Sequence, residues 1–233
     1  MEFFTLKQIP TNWYKYNVQF SIELLKAFVE NIENQVSISI TEYENKKETI
    51  VIDKTPNEIG SHIIYDVYNG LDSQTWQLDS VYKDYFPNLQ RRSAFLSLYG
   101  FFEFELEKLC ILFKETKALT IELDDLRDRG IDRSLSYLTK VVNLEIDMAS
   151  NKWEKVKSIQ KIRNLYVHND GKLIDNKGNR KEKENKITTN NEFLKGDNEI
   201  LISNGYLNYV LESFNDFFKL INDSIQNDFN HTY

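Results

Sequence analysis

The segment KIRNLYVHNDG, residues 161–171, places an arginine, an asparagine and a histidine at the end of a predicted helix. On an ideal helix Asn164 and His168 stack on one face, whereas Arg163 lies about 140° around the axis from His168. A histidine takes up or gives up a proton near neutral pH, an arginine binds phosphate, and an asparagine orients either group by hydrogen bonding. The chemistry that fits these side chains is metal-independent cleavage of RNA, because the 2′-hydroxyl of RNA supplies the nucleophile.

The same residues also fit a purely structural helix end. Histidine and lysine are common in the last turn of a helix, where a positive charge complements the helix dipole. The chain contains seven arginines and three histidines, so an Arg-x4-His spacing arises easily by chance. The spacing alone therefore leaves the structural and the catalytic interpretations both open.

The elements that must position these residues are predicted to be long helices. The chain of 233 residues has only eight glycines and three prolines, and its apolar residues recur at three- and four-residue steps. This pattern predicts helices over 12–46, 56–68, 80–117 with a break at Pro87, and 152–168, and a last helix that begins at Ser203 or Asn204.

Shorter features lie between these helices. The stretch ETIVID (48–53) is either a strand or a connection, and Asp132 is predicted to cap a helix that follows Gly130. Residues 172–191 are polar and lysine-rich without periodicity, which predicts a long loop, and EILIS (199–203) predicts a short strand. The expected fold class is all-α: a bundle of long antiparallel helices, with one long polar loop, and room for a short β-hairpin, before the last helix.

Composition excludes several classes of protein and site. One cysteine, Cys110, cannot form an internal disulfide, and three scattered histidines give no metal-ligand cluster, so neither a metal nor a cofactor is expected. No signal pattern and no run of 18 apolar residues is found, so we expect a cytoplasmic protein without a membrane partner. A net charge of −7 argues against a protein that coats nucleic acid by bulk electrostatics, but it leaves room for a local basic groove.

The segment around Arg163 resembles the signature of the HEPN superfamily, an arginine followed four to six residues later by a histidine, here with asparagine directly after the arginine. Three further segments are similar to what accompanies that motif in bacterial members. They are RRSAFLSLYGFFEFELEKLC as the first core helix, LDDLRDRGIDRSLSYLTKVVNL as the connecting element, and NGYLNYVLESFNDFFKLI as the last core helix. The resemblance implies an HEPN-like helical domain over 76–228, after an N-terminal helical extension over 1–75 and before a tail over 229–233.

The resemblance also implies an activity and a partner. Many members of the superfamily are metal-independent ribonucleases that dimerise so that two Arg-His motifs meet in a composite cleft, and bacterial members often act as toxins or in phage defence. By position, Arg163 would bind phosphate and His168 would act as acid or base. Asn164 would orient one of these two groups by hydrogen bonding, and Glu103 would support Arg163. An antitoxin or another defence-system protein would be a further partner. Two alternatives stay open: a non-catalytic module that binds RNA or protein, and a helical interaction protein in which the motif is a coincidence.

Basic residues around the motif are predicted to contact RNA phosphates. Residues 176–191 carry five positive charges against two negative ones, directly after the motif. A solvated flexible loop is the more ordinary explanation of this composition, and Glu103 fits a plain surface glutamate as well as a partner of an arginine. The predicted contacts are Lys161, Arg92, Lys172, Arg180 and Lys181.

Overall fold

A computed structural model describes residues 12–53, 62–175 and 177–231, and 67% of the structure is helical. The long helices are α1 (Gln19–Lys46), α3 (Phe86–Thr116), α5 (Asn151–Asn169) and α7 (Tyr206–His231). The short helices are α2 (Leu78–Ser80), α4 (Gly130–Ser136) and α6 (Glu182–Thr189). The predicted helical character is confirmed, but all-α is incomplete as a fold class because two small antiparallel sheets are also present. Within the described ranges no helix has both the length and the apolarity that crossing a bilayer requires.

The first sheet overturns the predicted helix over 56–68. Strands β1 (Glu48–Asp53), β2 (His62–Tyr68) and β3 (Leu71–Asp72) pair in that order, and Glu48 lies opposite Val67. Residues 54–61, which include the predicted start of the helix, lie outside the described residues. The stretch HIIYDVY is rich in β-branched and aromatic side chains, and pairing with ETIVID satisfies its backbone. The strand interpretation of 48–53 is the correct one.

The predicted break at Pro87 is also wrong. The chain is helical from Leu78 through a π-helical turn (Val81–Tyr85) into α3 without interruption. In that turn the Phe86 N–H donates to the Val81 carbonyl, five residues back. The wider turn directly precedes Pro87, at the start of α3, and its longer hydrogen-bond spacing accommodates the helical bond that proline cannot donate.

The core lies where α1, α3, α5 and α7 meet. The rings of Phe102 on α3 and Phe214 on α7 stack with centroids 4.1 Å apart. Trp13, just before α1, packs edge-on against Phe218 of α7 at 5.8 Å and is 2% exposed. The first helical segment, which comprises Trp13, the π-helical stretch Tyr14–Val18 and α1, therefore buries its apolar face in the same core as the helices that carry the motif.

The polar stretch after α5 is more ordered than predicted. Residues 172–191 contain α6, whose one buried residue is Thr188, so the unbroken loop predicted there is wrong. A second sheet follows, in which β4 (Leu194–Lys195) pairs antiparallel with β5 (Leu201–Ile202). This hairpin agrees with the short strand predicted in EILIS.

Candidate functional site

Helix α5 brings the motif to the edge of the core and stops there. The Ser150 hydroxyl caps its start by accepting from the Trp153 N–H. At its other end Asp170 adopts a left-handed conformation with φ +52°, and Gly171 follows with φ +77°. A side chain on Gly171 would meet the Tyr166 ring at 2.8 Å, so the turn needs glycine for space as well as for conformation. The predicted end of this helix is thus confirmed.

Arg163 lies between α5 and α3 and is held from three sides. Its guanidinium is 3.6 Å from a Glu103 carboxylate oxygen, and the two side chains are 29% and 25% exposed. The same guanidinium lies over the Tyr99 ring, 4.9 Å from the centroid. Arg163 also donates a hydrogen bond of 3.1 Å to the Asn164 side-chain oxygen. These contacts fix the direction of a cationic group at the protein surface.

The backbone at Gly130, where α4 begins, lies against Glu103 and affects the direction of its side chain. Gly130, the first residue of α4, has φ +56°, and a Cβ added there would stand 2.6 Å from Glu103 Oε1. The carboxylate therefore sits over a position that only glycine leaves clear. Glycine at 130 lets Glu103 extend toward Arg163 instead of turning to solvent.

Tyr99 forms the floor under the guanidinium. Burial raises the pKa of the Tyr99 phenol well above its ordinary value, the negative charge of Glu103 raises it further, and the positive charge of Arg163 partly offsets both. The ring therefore stays neutral at physiological pH and offers Arg163 an aromatic face rather than a counter-charge.

His168 and Asn164 face solvent. Both residues are exposed, and Asn164 is engaged through its oxygen by Arg163. In the part of the chain that the structure describes, no hydrogen bond or ion pair holds the His168 imidazole. Arg163 turns toward α3 while His168 lies five residues on, about 140° around an ideal helix. Within one chain the arginine and the histidine are neighbours on α5 without being joined.

A polar network lies one turn before the motif. Lys157 donates to Asp132 at 2.8 Å and to the Gln160 oxygen at 2.6 Å, and Gln160 donates to Asp132 at 3.0 Å. Asp132 therefore ties α4 to α5. The predicted role of Asp132 as the N-cap of α4 is wrong, because the N-cap is Arg129 and Asp132 lies in the first turn.

The five predicted RNA contacts occupy different settings. Arg92 closes the end of α5: it pairs with Asp170, donates to the Tyr166 carbonyl at 3.3 Å and lies over the Tyr166 ring. Lys161 and Lys172 are exposed near the motif. The Arg180 guanidinium donates to the Asp197 carbonyl at 3.0 Å, and the backbone N–H of Lys181 donates to Leu173. Contact with RNA stays a prediction for all five, and the bonds of Arg92 already account for that residue structurally.

Other features of the described residues lie away from the motif. No group of three or more His, Cys, Asp or Glu side chains there has a geometry that would hold a metal ion. A cavity of about 590 Å³ opens between α1, the β2–β3 turn and the start of α3, lined among others by Tyr68, Tyr82 and Phe86. Burial raises the pKa of the Cys110 thiol to about 12, as expected for a structural cysteine.

Sequence reasoning missed two residues of the site. In the sequence, Tyr99 is one member of the apolar row of α3. It also lies four residues before Glu103, and this spacing was the signal that both side chains face the same neighbouring helix. Gly130 reads as a helix stop, and nothing in the sequence reveals the carboxylate above it. The pairing of Glu103 with Arg163 was predicted, and the structure brings these two side chains together.

Comparison with known proteins adds no further guide to this site. No family model, no curated protein and no solved structure matches the chain.

Proposed function

We propose that the chain is a metal-independent endoribonuclease in which Arg163 binds the scissile phosphate and His168 transfers protons. The observation that carries the proposal is a surface arginine fixed by Glu103 and Tyr99 beside an exposed histidine that is free to meet a substrate. An arginine stabilises the charge that grows on a phosphate, and a histidine exchanges a proton near neutral pH. The resemblance to HEPN ribonucleases supports the same roles and suggests a toxin or phage-defence setting.

The proposed reaction is transesterification. The 2′-oxygen loses its proton to a base and bonds to the adjacent phosphorus, and the bond from phosphorus to the 5′-oxygen breaks. His168 gives a proton to that leaving oxygen, so the products carry a 2′,3′-cyclic phosphate and a free 5′-hydroxyl. The base that takes the 2′-proton is assigned to the His168 of a second copy, in a composite site, so that one proton is taken and one is given.

One observation favours a second candidate, a non-catalytic HEPN-like module that binds RNA or protein. The Arg163 guanidinium already has Glu103, Tyr99 and Asn164 as neighbours, as a residue that pins α5 to α3 would have. In that case the motif stabilises a helix junction or a dimer contact, and no cleavage is expected.

The test is incubation of the purified chain with labelled total RNA, tRNA and a matched DNA, with EDTA present. The expected result is cleavage of RNA but not DNA, with cyclic phosphate ends, and its loss in His168→Gln and Arg163→Ala. Lys155→Gln is the control, because Lys155 is an exposed cation on the same helix, away from the motif. Equal cleavage by all four proteins would overturn the proposal, and cleavage by none would favour the binding module.

Two glutamates of α3 give a finer comparison. Glu103 pairs with Arg163 at 3.6 Å, and Glu107 pairs with Arg133 at 3.1 Å with similar exposure. Glu103→Gln is expected to lower the cleavage rate by about tenfold because the arginine loses its fixed direction. Glu107→Gln changes the same kind of bond without touching the motif and is expected to leave the rate unchanged.

A further inference from the structure

A cavity away from the motif offers a site for a small molecule. The cavity between α1, the β2–β3 turn and the start of α3 has a volume of about 590 Å³, within the usual range for small-molecule sites. Among the described residues, its lining comprises three aromatic rings, four aliphatic side chains, three uncharged polar side chains and a single charged one, Glu42. A ligand with a phosphate or carboxylate group therefore meets no cation in this lining. The lining favours a ligand that is largely apolar and either uncharged or positive.

The aromatic rings of the cavity meet at nearly right angles. The Tyr68 and Phe86 rings are inclined by 80° and 84° to the Tyr82 ring, with centroids 4.9 and 5.3 Å from it. The Tyr43 ring stacks on Tyr82 at 4.7 Å, so one face of Tyr82 is already covered. A flat ligand such as a nucleobase stacks on an open ring face, whereas a rounded ammonium group is enclosed by rings that stand at an angle to one another. The arrangement therefore favours a rounded cation.

The same group of rings already attracts ammonium groups of the chain itself. Lys47 Nζ and Lys83 Nζ lie 5.7 and 5.9 Å from the centroid of the Tyr43 ring, within the range of a cation–π contact. Tyr43 is buried and does not line the cavity. Over the three rings that do line it, no Lys or Arg side chain of the described residues is found. These rings are open to the cation of a ligand.

A carboxylate lies beside this aromatic surface. Glu42 is on the face of α1 that lines the cavity, and its side chain is 49% exposed. Its partner is Lys46, one turn further along α1, at 2.8 Å and 64% exposed. An exposed pair of this spacing is weak, so the ammonium group of a ligand can replace Lys46 at the carboxylate and leave Lys46 in water.

We propose that this cavity binds an organic ammonium cation. The charged group of the ligand lies between Glu42 and the three rings of the lining, where the carboxylate and the aromatic rings both attract it. The apolar body of the ligand contacts Leu89, which is 44% exposed, so binding also removes apolar surface from water. Binding at this site does not depend on nuclease activity, because the cavity and the Arg163 motif share no residue.

The test compares two ligands of the same shape by titration calorimetry on the full chain. Acetylcholine carries a trimethylammonium group, and 3,3-dimethylbutyl acetate is its uncharged counterpart, with carbon in place of nitrogen. Acetylcholine is expected to bind at least about tenfold more tightly. Equal affinity for the two, tighter binding of adenosine as a flat neutral ligand, or no binding of acetylcholine would overturn the proposal.

Matched variants locate the bound cation. Glu42→Gln is expected to weaken acetylcholine binding about tenfold and Lys46→Gln to strengthen it, because the first removes the attracting charge and the second removes a competing cation. Glu44→Gln is the control: Glu44 is 51% exposed and pairs with Lys83 at 3.1 Å, but it does not line the cavity. Unchanged affinity in Glu42→Gln, or an equal loss in Glu44→Gln, would place the cation elsewhere and overturn the proposal.

A ring substitution separates the aromatic contribution from apolar packing. Phe86→Leu keeps an apolar side chain without the ring, and it is expected to weaken acetylcholine binding about threefold to tenfold while leaving the uncharged ester unaffected. Phe104→Leu, at a residue 58% exposed further along α3, is the control and should change neither. An equal effect of Phe86→Leu on both ligands would argue against a cation site. A peptide with one trimethyllysine then identifies the source: tighter binding than acetylcholine assigns the cation to a protein side chain, and weaker binding assigns it to a free small molecule.

Discussion

Substituting Gly130 with alanine separates two effects that meet at the candidate site. The first is conformational: Gly130 has φ +56°, and a residue with a side chain loses about 1–2 kcal/mol there. The second is steric: the new Cβ would stand 2.6 Å from Glu103 Oε1 and needs about 3.4 Å. The Glu103 carboxylate lies at the end of a flexible side chain, so it can move away from the new Cβ at little cost in free energy.

The displacement matters because the Glu103–Arg163 distance is already 3.6 Å. A shift of nearly an ångström takes the pair out of contact, and a partly exposed ion pair of this kind contributes at most about 1 kcal/mol. We therefore expect Gly130→Ala to lower the free energy of unfolding by about 1–3 kcal/mol in total. For a chain of this length each 1 kcal/mol corresponds to about 2–4 °C in melting temperature.

The matched control is Gly70→Ala. Gly70 has φ +78° and no atom within 4 Å of the added Cβ, so it reports the conformational cost alone. Urea denaturation of both variants, alone and combined with Glu103→Ala, isolates the steric part. If Gly130→Ala costs no more than Gly70→Ala and also leaves the effect of Glu103→Ala unchanged, the placement of the carboxylate over Gly130 is refuted.

Three further predictions concern buried groups. Tyr166→Phe is expected to cost about 1–3 kcal/mol in urea denaturation, because its buried hydroxyl donates to the Ile200 carbonyl at 2.7 Å, whereas Tyr16→Phe, at a residue 70% exposed, should change nothing measurable. Burial raises the pKa of the Tyr166 phenol, so above about pH 10 the unfolded chain loses this proton while the native chain keeps it. The free energy of unfolding should therefore fall as the pH rises above about 10, and fall less in Tyr166→Phe. Trp13→Ala is expected to lower the free energy of unfolding by about 3–5 kcal/mol, because Trp13 is buried in the core. Trp76→Ala, at a residue 51% exposed, is expected to lower it by less than about 0.5 kcal/mol. Similar values for the two variants would argue against a core that includes the first helical segment.

The sequence was sufficient to predict a helix where the apolar periodicity and the signals for the helix end agree. Helix α5 follows from its apolar spacing and from the Asn169–Asp170–Gly171 stop, and α1 and α7 follow from spacing alone. The meeting of Glu103 with Arg163 was predicted from the resemblance and from the position of Glu103 beside the apolar row. The roles of these residues in catalysis remain predictions.

The sequence was insufficient to predict the secondary structure of a segment where contacts with residues far away in the chain determine it. Residues 62–68 carry apolar side chains that suit a helix or a strand, and pairing with 48–53 selects the strand. Helix α6 has almost no apolar periodicity, since Thr188 is its one buried residue, and its existence depends on packing against α5 and β4. The carboxylate over Gly130 depends on how α4 crosses α3, which local sequence does not encode.

The adjacency of the first and last helices has a consequence for how the chain is made. Trp13 packs on Phe218, and the Tyr14 N–H donates to the side chain of Asn222, 208 residues later. Synthesis at about 5–20 residues per second separates these partners by roughly 10–40 s. Throughout that interval the nascent α1 lacks α7, which covers part of its apolar face, and α3 lacks it from the time that α3 is made. The core therefore closes only after α7 has emerged from the ribosome, and the time before that is when this fold is most exposed to aggregation and most in need of a chaperone.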